Sequence, residues 1–77
     1  MVNNQDYTFT AMRTIREKTG MTIKQVATDL RVNPRVLQEI ETGKKGTNAK
    51  RAQHIATYFG IPIEVLFTPI YYRAKVI

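Results

Sequence analysis

The sequence predicts an all-α domain of five short helices, on three observations. Apolar residues recur at three- and four-residue steps in successive segments, glycine closes three of those segments, and residues suited to helix caps open three of them. The first segment, residues 8–19, carries Phe9, Met12 and Ile15 and stops at Gly20. The second, 22–30, carries Val26, Ala27 and Leu30. It opens on Thr22-Ile-Lys-Gln25, a capping box in which the Thr hydroxyl takes the Gln25 amide and the Gln side chain returns to the Thr22 amide. Met21 and Val26 stand at the two positions of a hydrophobic staple. The third, 33–42, has Asn33 as cap, Pro34 at the first helical position, and Leu37 and Ile40 inside; Val32 and Leu37 form a second staple, and Gly43 closes it. The fourth, 48–59, is capped by Asn48 and carries the full stripe Ala52, Ile55, Ala56 and Phe59 before Gly60. A short fifth, 62–67, starts at Pro62 and offers Ile63, Leu66 and Phe67.

Thr68-Pro69 is expected to stop the fifth helix, because a residue before proline avoids the α region. The tail then alternates. Ile70, Tyr72, Ala74 and Val76 fall on one side of an extended chain, with Tyr71, Arg73 and Lys75 on the other. A lone strand has no partner inside a helical domain, so three readings stay open: pairing with a second copy of the chain, lying along the core, or a frayed terminus. The chain thus divides into an N-terminal arm at 1–7, a helical domain at 8–67 and a tail at 68–77.

Composition bounds the function. Seventy-seven residues make one domain. Twelve Lys and Arg oppose six Asp and Glu, a net charge of +6, which favours a polyanionic partner. No cysteine is present, which suits a reducing cytoplasm. The N-terminal residues have no basic and apolar leader pattern, and no apolar run approaches the roughly 18 residues of a membrane span. His54 is the only histidine and has no Cys or paired carboxylate at ligand spacing, so no metal, cofactor or catalytic residue is expected. No Gly-rich phosphate loop is visible either.

The second and third segments read as a helix-turn-helix. Small Ala27 allows close approach, Leu30 and Val32 bracket the turn, and Leu37 and Ile40 anchor the second helix while its opposite face stays free. A helix presented this way fits the major groove, about 12 Å wide. Residues 15–67, and within them Ile15-Arg16, Gly20-Met21-Thr22, Val26-Ala27, Leu30, Val32, Ile40-Glu41, Gly43-Lys44, Ile55-Ala56, Gly60-Ile61 and Leu66-Phe67, resemble the Cro/cI (Xre) family of phage and bacterial regulators. The resemblance implies a lambda-repressor-like five-helix fold, operator binding as a homodimer, and control of transcription, most simply as a repressor. It also implies a structural pair, Arg16 of the first helix with Glu41 at the end of the third. That pairing makes physical sense: a carboxylate beside a DNA-reading face is repelled by phosphate unless a cation holds it.

On this reading Pro34, Arg35, Gln38 and Glu39 face the bases. Arg35 suits guanine O6 and N7, Gln38 suits adenine N6 and N7, Glu39 accepts from cytosine N4, and the Pro34 ring can touch a thymine methyl. The backbone contacts are expected from Thr22, Asn33, Thr42, Lys44, Lys45, Asn48, Lys50 and Arg51. Lys50 and Arg51 sit in the first turn of the fourth helix, where the helix dipole disfavours cations and a nearby phosphate would compensate. Two departures from the family pattern stand out. Ile23 replaces the usual Gln at the start of the second helix, and Arg31 replaces the usual Gly in the turn. A left-handed Arg31 would carry roughly 1 to 2 kcal/mol of strain, and a turn of different shape is the alternative. Pro34 and Glu39 also remove hydrogen-bond donors common in related readers. The competing function is a protein-interaction domain on the same fold, an antirepressor partner or antitoxin-type adaptor, favoured by Pro34 and Glu39. A basic membrane-surface binder would need a helix with basic and aromatic faces, and none is evident.

Overall fold

A computed structural model describes residues 10–68 and 72–77 of the chain. Its elements are α1 (Ala11–Lys18), α2 (Ile23–Leu30), α3 (Pro34–Glu41), α4 (Ala49–Phe59), a single turn α5 (Ile63–Leu66), and two short strands, β1 (Phe67–Thr68) and β2 (Arg73–Ala74). The expected arm at 1–7, Phe9 of the first apolar series, and Ile70 and Tyr71 of the tail lie outside the described residues.

Local chemistry accounts for where each helix begins. Thr10 caps α1 by accepting the Arg13 N–H at 3.2 Å. The capping box of α2 is complete: Thr22 Oγ1 accepts the Gln25 N–H at 3.1 Å, and Gln25 Oε1 accepts the Thr22 N–H at 2.8 Å. Asn33 accepts the Arg35 N–H at 2.8 Å with Pro34 at the first position of α3, and Asn48 accepts the Arg51 N–H at 2.8 Å. Each such cap is worth about 1 kcal/mol over alanine.

Three helices end on the same motif, a left-handed residue followed by a long back-bond. After α1 the motif uses Gly20 (φ 74°), with Met21 N–H bonded to the Arg16 carbonyl; after α4 it uses Gly60 (φ 67°), with Ile61 N–H bonded to the Ala56 carbonyl. After α2 the same position holds Arg31, at φ 58° and ψ 45°, and Val32 N–H bonds the Ala27 carbonyl at 2.9 Å. The turn of the helix-turn-helix therefore keeps the glycine-type geometry and carries the arginine in it.

The core draws on every helix. Met12, Val26, Ala27, Leu37, Ile40, Ala52, Ile55, Ala56, Leu66 and Phe67 are each at most 1 % exposed. Phe67 departs from the expected helical span: it is extended, at φ −133° and ψ 150°, which turns its ring into the core and its backbone toward the tail.

Contrary to the expectation that a tail strand finds no partner inside a helical domain, Phe67 and Thr68 supply one. β1 and β2 pair antiparallel, Phe67 opposite Ala74 and Thr68 opposite Arg73. A further bridge joins Thr10 to Val76, and the Ala11 N–H bonds the Lys75 carbonyl at 3.1 Å. The described part of the tail therefore lies along the core. Ala74 is 5 % exposed, and the Tyr72 ring meets Phe67 edge-on with centroids 6.4 Å apart. Two bare backbone residues freed by the early end of α5 supplied the partner.

Candidate nucleic-acid interface

α3 is fastened from one side and open on the other. Leu37 and Ile40 bury its inner face, and Glu41, 2 % exposed, is its third buried side chain. The Arg16 guanidinium meets Glu41 with two parallel bonds, Nε to Oε1 at 2.6 Å and Nη2 to Oε2 at 3.1 Å. Its remaining nitrogen, Nη1, donates to the Met21 carbonyl at 2.7 Å, at the entrance to α2. One side chain of α1 thus ties together the start of α2 and the end of α3. The bond to Glu41 raises the Arg16 pKa above its ordinary value, against the opposing effect of burial, so the cation persists at any working pH. Thr10 adds a second fastening by donating its hydroxyl to the Glu41 carbonyl.

The open side carries Arg35, Gln38, Glu39 and Thr42, at the spacing of one helical stripe, and these four line a shallow groove together with Lys44 of the following loop. Pro34, Arg35 and Gln38 are exposed; Glu39 and Thr42 are half-buried. Glu39 is not isolated. Lys45 Nζ stands 3.7 Å from its carboxylate, and the Lys45 N–H bonds the Glu39 carbonyl at 3.1 Å as the chain reverses through Gly43. Lys45, expected in the phosphate clamp, thus also neutralises the one acid on the stripe. The Thr42 hydroxyl bonds the Glu39 carbonyl at 3.3 Å, which occupies its proton locally.

Phosphate oxygens only accept, so spare donors decide what the capping residues can offer. Thr22, Asn33 and Asn48 use side-chain oxygens as caps. Each keeps a donor, the Thr22 hydroxyl proton and the two amide NH2 groups. Lys44, Lys50 and Arg51 are exposed. The latter two line a second groove with Asn48, His54, and Leu30, Arg31 and Val32 of the turn. Arg31, a departure from the family pattern with no expected DNA contact, adds a third cation there. The available signal was a cation placed where the turn demands a left-handed residue.

Four of the five acids among the described residues are held by local partners, and Glu64 on α5 has none among those residues. Of the six in the chain, Asp6 lies outside the described residues. Glu17, Glu39 and Glu41 pair with Arg13, Lys45 and Arg16. Asp29 accepts from the Tyr58 hydroxyl at 2.7 Å, which pins α2 to α4 and pushes the phenol up to about 12. Arg31, Arg35, Lys44, Lys50 and Arg51 have no carboxylate partner among the described residues. Of the nine cations without a carboxylate partner among the described residues, these five lie on α3, on its flanking turns or at the start of α4, and the other four are Lys18, Lys24, Arg73 and Lys75. Among the described residues no group of three or more His, Cys, Asp or Glu is placed to hold a metal, and no helix is long and apolar enough to cross a membrane.

Comparison with known proteins agrees with this geometry. The family model described as "Helix-turn-helix domain" matches residues 11–71. No curated protein and no solved structure gives a significant match.

Proposed function

The chain belongs to the helix-turn-helix domain family, and from that premise we propose that it is a sequence-specific reader of double-stranded DNA that acts as a small transcriptional repressor of the Cro/cI type. α3 enters the major groove. Arg35, Gln38 and Glu39 address base edges, Pro34 meets a thymine methyl, and Thr22, Asn33, Thr42, Lys44, Lys45, Asn48, Lys50 and Arg51 hold the sugar-phosphate backbone. The observation that carries the proposal is the pairing of an open polar stripe, Arg35–Gln38–Glu39–Thr42, with unpartnered cations on the turns at both ends of the same rigidly fastened helix. Occupancy of promoter DNA by such a domain excludes polymerase without further machinery, which is the sense in which it represses.

Two copies on a two-fold site belong to the same proposal. With Arg73–Ala74 paired inside the chain and Val76 bridged to Thr10, the described part of the tail still exposes the Val76 and Ile77 side chains, by 60 % and 68 %, to a second copy. Sedimentation with and without residues 70–77 tests this; a monomer in both cases removes the tail from the dimer. The protein-interaction alternative drew on Pro34 and Glu39; the Lys45 contact gives Glu39 a partner within the domain, and Pro34 is unaffected by it.

The experiment for the whole reading is a salt titration of duplex binding. Affinity should fall steeply, with log K declining by about 0.9 per log unit of salt for each phosphate neutralised. Lys50→Ala should weaken binding to all sequences alike, and Arg35→Ala should relax preference at one base position by about 1 to 3 kcal/mol. A protein that leaves duplex DNA unbound at low salt would end the proposal.

A further inference from the structure

The C-terminal hairpin meets the loop that follows α3. The Arg73 Cγ stands 3.9 Å from the point a Cβ on Gly43 would occupy, and the Ala74 carbonyl oxygen stands 3.3 Å from it. At the far end of the same loop, the Thr47 N–H bonds the Tyr72 carbonyl at 2.8 Å. The tail is thus fixed against both ends of the stretch Gly43–Thr47, with Lys44 and Lys45 between the two fixings. Ala74 is buried and Arg73 is exposed, so the strand's alternation turns the Arg73 side chain outward beside that loop. Among the described residues no carboxylate pairs with Arg73 or with Lys44, whereas Lys45 shares its charge with Glu39.

We propose that Arg73 contacts a DNA phosphate beside Lys44, so that the C-terminal hairpin is part of the DNA-binding surface and not only a cover for the core. The inference rests on the reading of α3 given above and adds a contact from an element outside the helix-turn-helix. Lys44 and Lys45 on the loop and Arg73 on the strand packed against it bring three cations to neighbouring stretches of chain. Glu39 offsets Lys45 and leaves Lys44 and Arg73 uncompensated, an arrangement that a phosphate between them relieves. The planar guanidinium fork suits two oxygens of one phosphate. Gly43 matters because any side chain there would press on the Ala74 carbonyl and move the strand that carries Arg73.

The test is the salt dependence of duplex binding by the wild-type chain, Arg73→Met and Arg73→Lys, between about 50 and 200 mM salt. Arg73→Met keeps an aliphatic stem against Gly43 and removes the charge. Its slope should be shallower than wild type by about 0.9, so that affinity changes about 3.5-fold less across that range. Arg73→Lys should recover most of the slope. A wild-type slope in Arg73→Met overturns the proposal, and so does a loss that follows a lowered Tm and is not restored by lysine. Wild-type protein that does not bind duplex removes the reading of α3 and this inference with it. Wild-type binding with an unchanged slope in Arg73→Met removes this inference alone.

Discussion

Replacing Glu41 with Gln tests the fastening of α3. The carboxylate is 2 % exposed and accepts two bonds from Arg16, at 2.6 and 3.1 Å. Glutamine keeps one acceptor and turns an NH2 toward the Arg16 fork, so one bond becomes a donor–donor clash and the guanidinium loses its counter-charge. Removing one partner of a buried ion pair costs about 3 to 5 kcal/mol. Here the cost is lower, because the Arg16 side chain is 11 % exposed and keeps its bond to the Met21 carbonyl. The stranded cation can therefore draw some water, and we expect a loss of about 2 to 4 kcal/mol. Urea unfolding followed by circular dichroism measures it. With a slope near 1 kcal/mol per molar for a domain this small, the midpoint should fall by about 2 M or more at unchanged slope. The same substitution in an Arg16→Met background should cost much less, since the stranded charge is already gone. A midpoint shift under about 0.5 M, or an equal loss in both backgrounds, would refute the claim that this pair holds the helix.

The remaining predictions concern turns and titration. Arg31→Gly relieves the left-handed strain at φ 58° but loosens the unfolded chain, so it should stabilise the fold by about 0.5 to 1 kcal/mol while weakening duplex binding through loss of a cation. Gly43→Ala should destabilise by about 1 to 2 kcal/mol, because φ is 78° and the new Cβ would sit 3.3 Å from the Ala74 carbonyl. Tyr58 should ionise at about 12 in a spectrophotometric titration, and Asp29→Asn should lower that value. Its folded pKa lies above the ordinary 10, so its contribution to stability is complete below pH 10 and disappears as pH rises from 10 to 12. Tyr58→Phe should lack that part of the alkaline loss, and identical alkaline profiles would contradict it.

What the sequence revealed follows the range of each interaction. The capping box at Thr22–Gln25, the Asn33 and Asn48 caps, Pro34 and the three left-handed glycines are decided within a few residues, so the starts of α2, α3 and α4 and the ends of α1, α3 and α4 could be read directly, whereas the Thr10 start of α1 could not. Arg31 was only half legible: a left-handed arginine carries strain that a turn of another shape would avoid, and only the structure places it at φ 58°. Phe67 was not, because whether it ends a helix or starts a strand depends on Ala74 across the hairpin. Glu39 was half legible: an acid on a basic face was plain, but its Lys45 partner arrives only after the chain reverses at Gly43. Arg73 was the least visible, because nothing local to the tail says that it will fold back on the loop after α3.

Selection of bound duplexes from a randomised pool, run with the wild-type chain and with Arg35→Ala, bears most directly on the claim that α3 reads DNA sequence. The wild-type chain should enrich one short sequence, and Arg35→Ala should return the same sequence with a single guanine position relaxed. A wild-type pool without a shared sequence, or an Arg35→Ala pool identical to it, would contradict the claim.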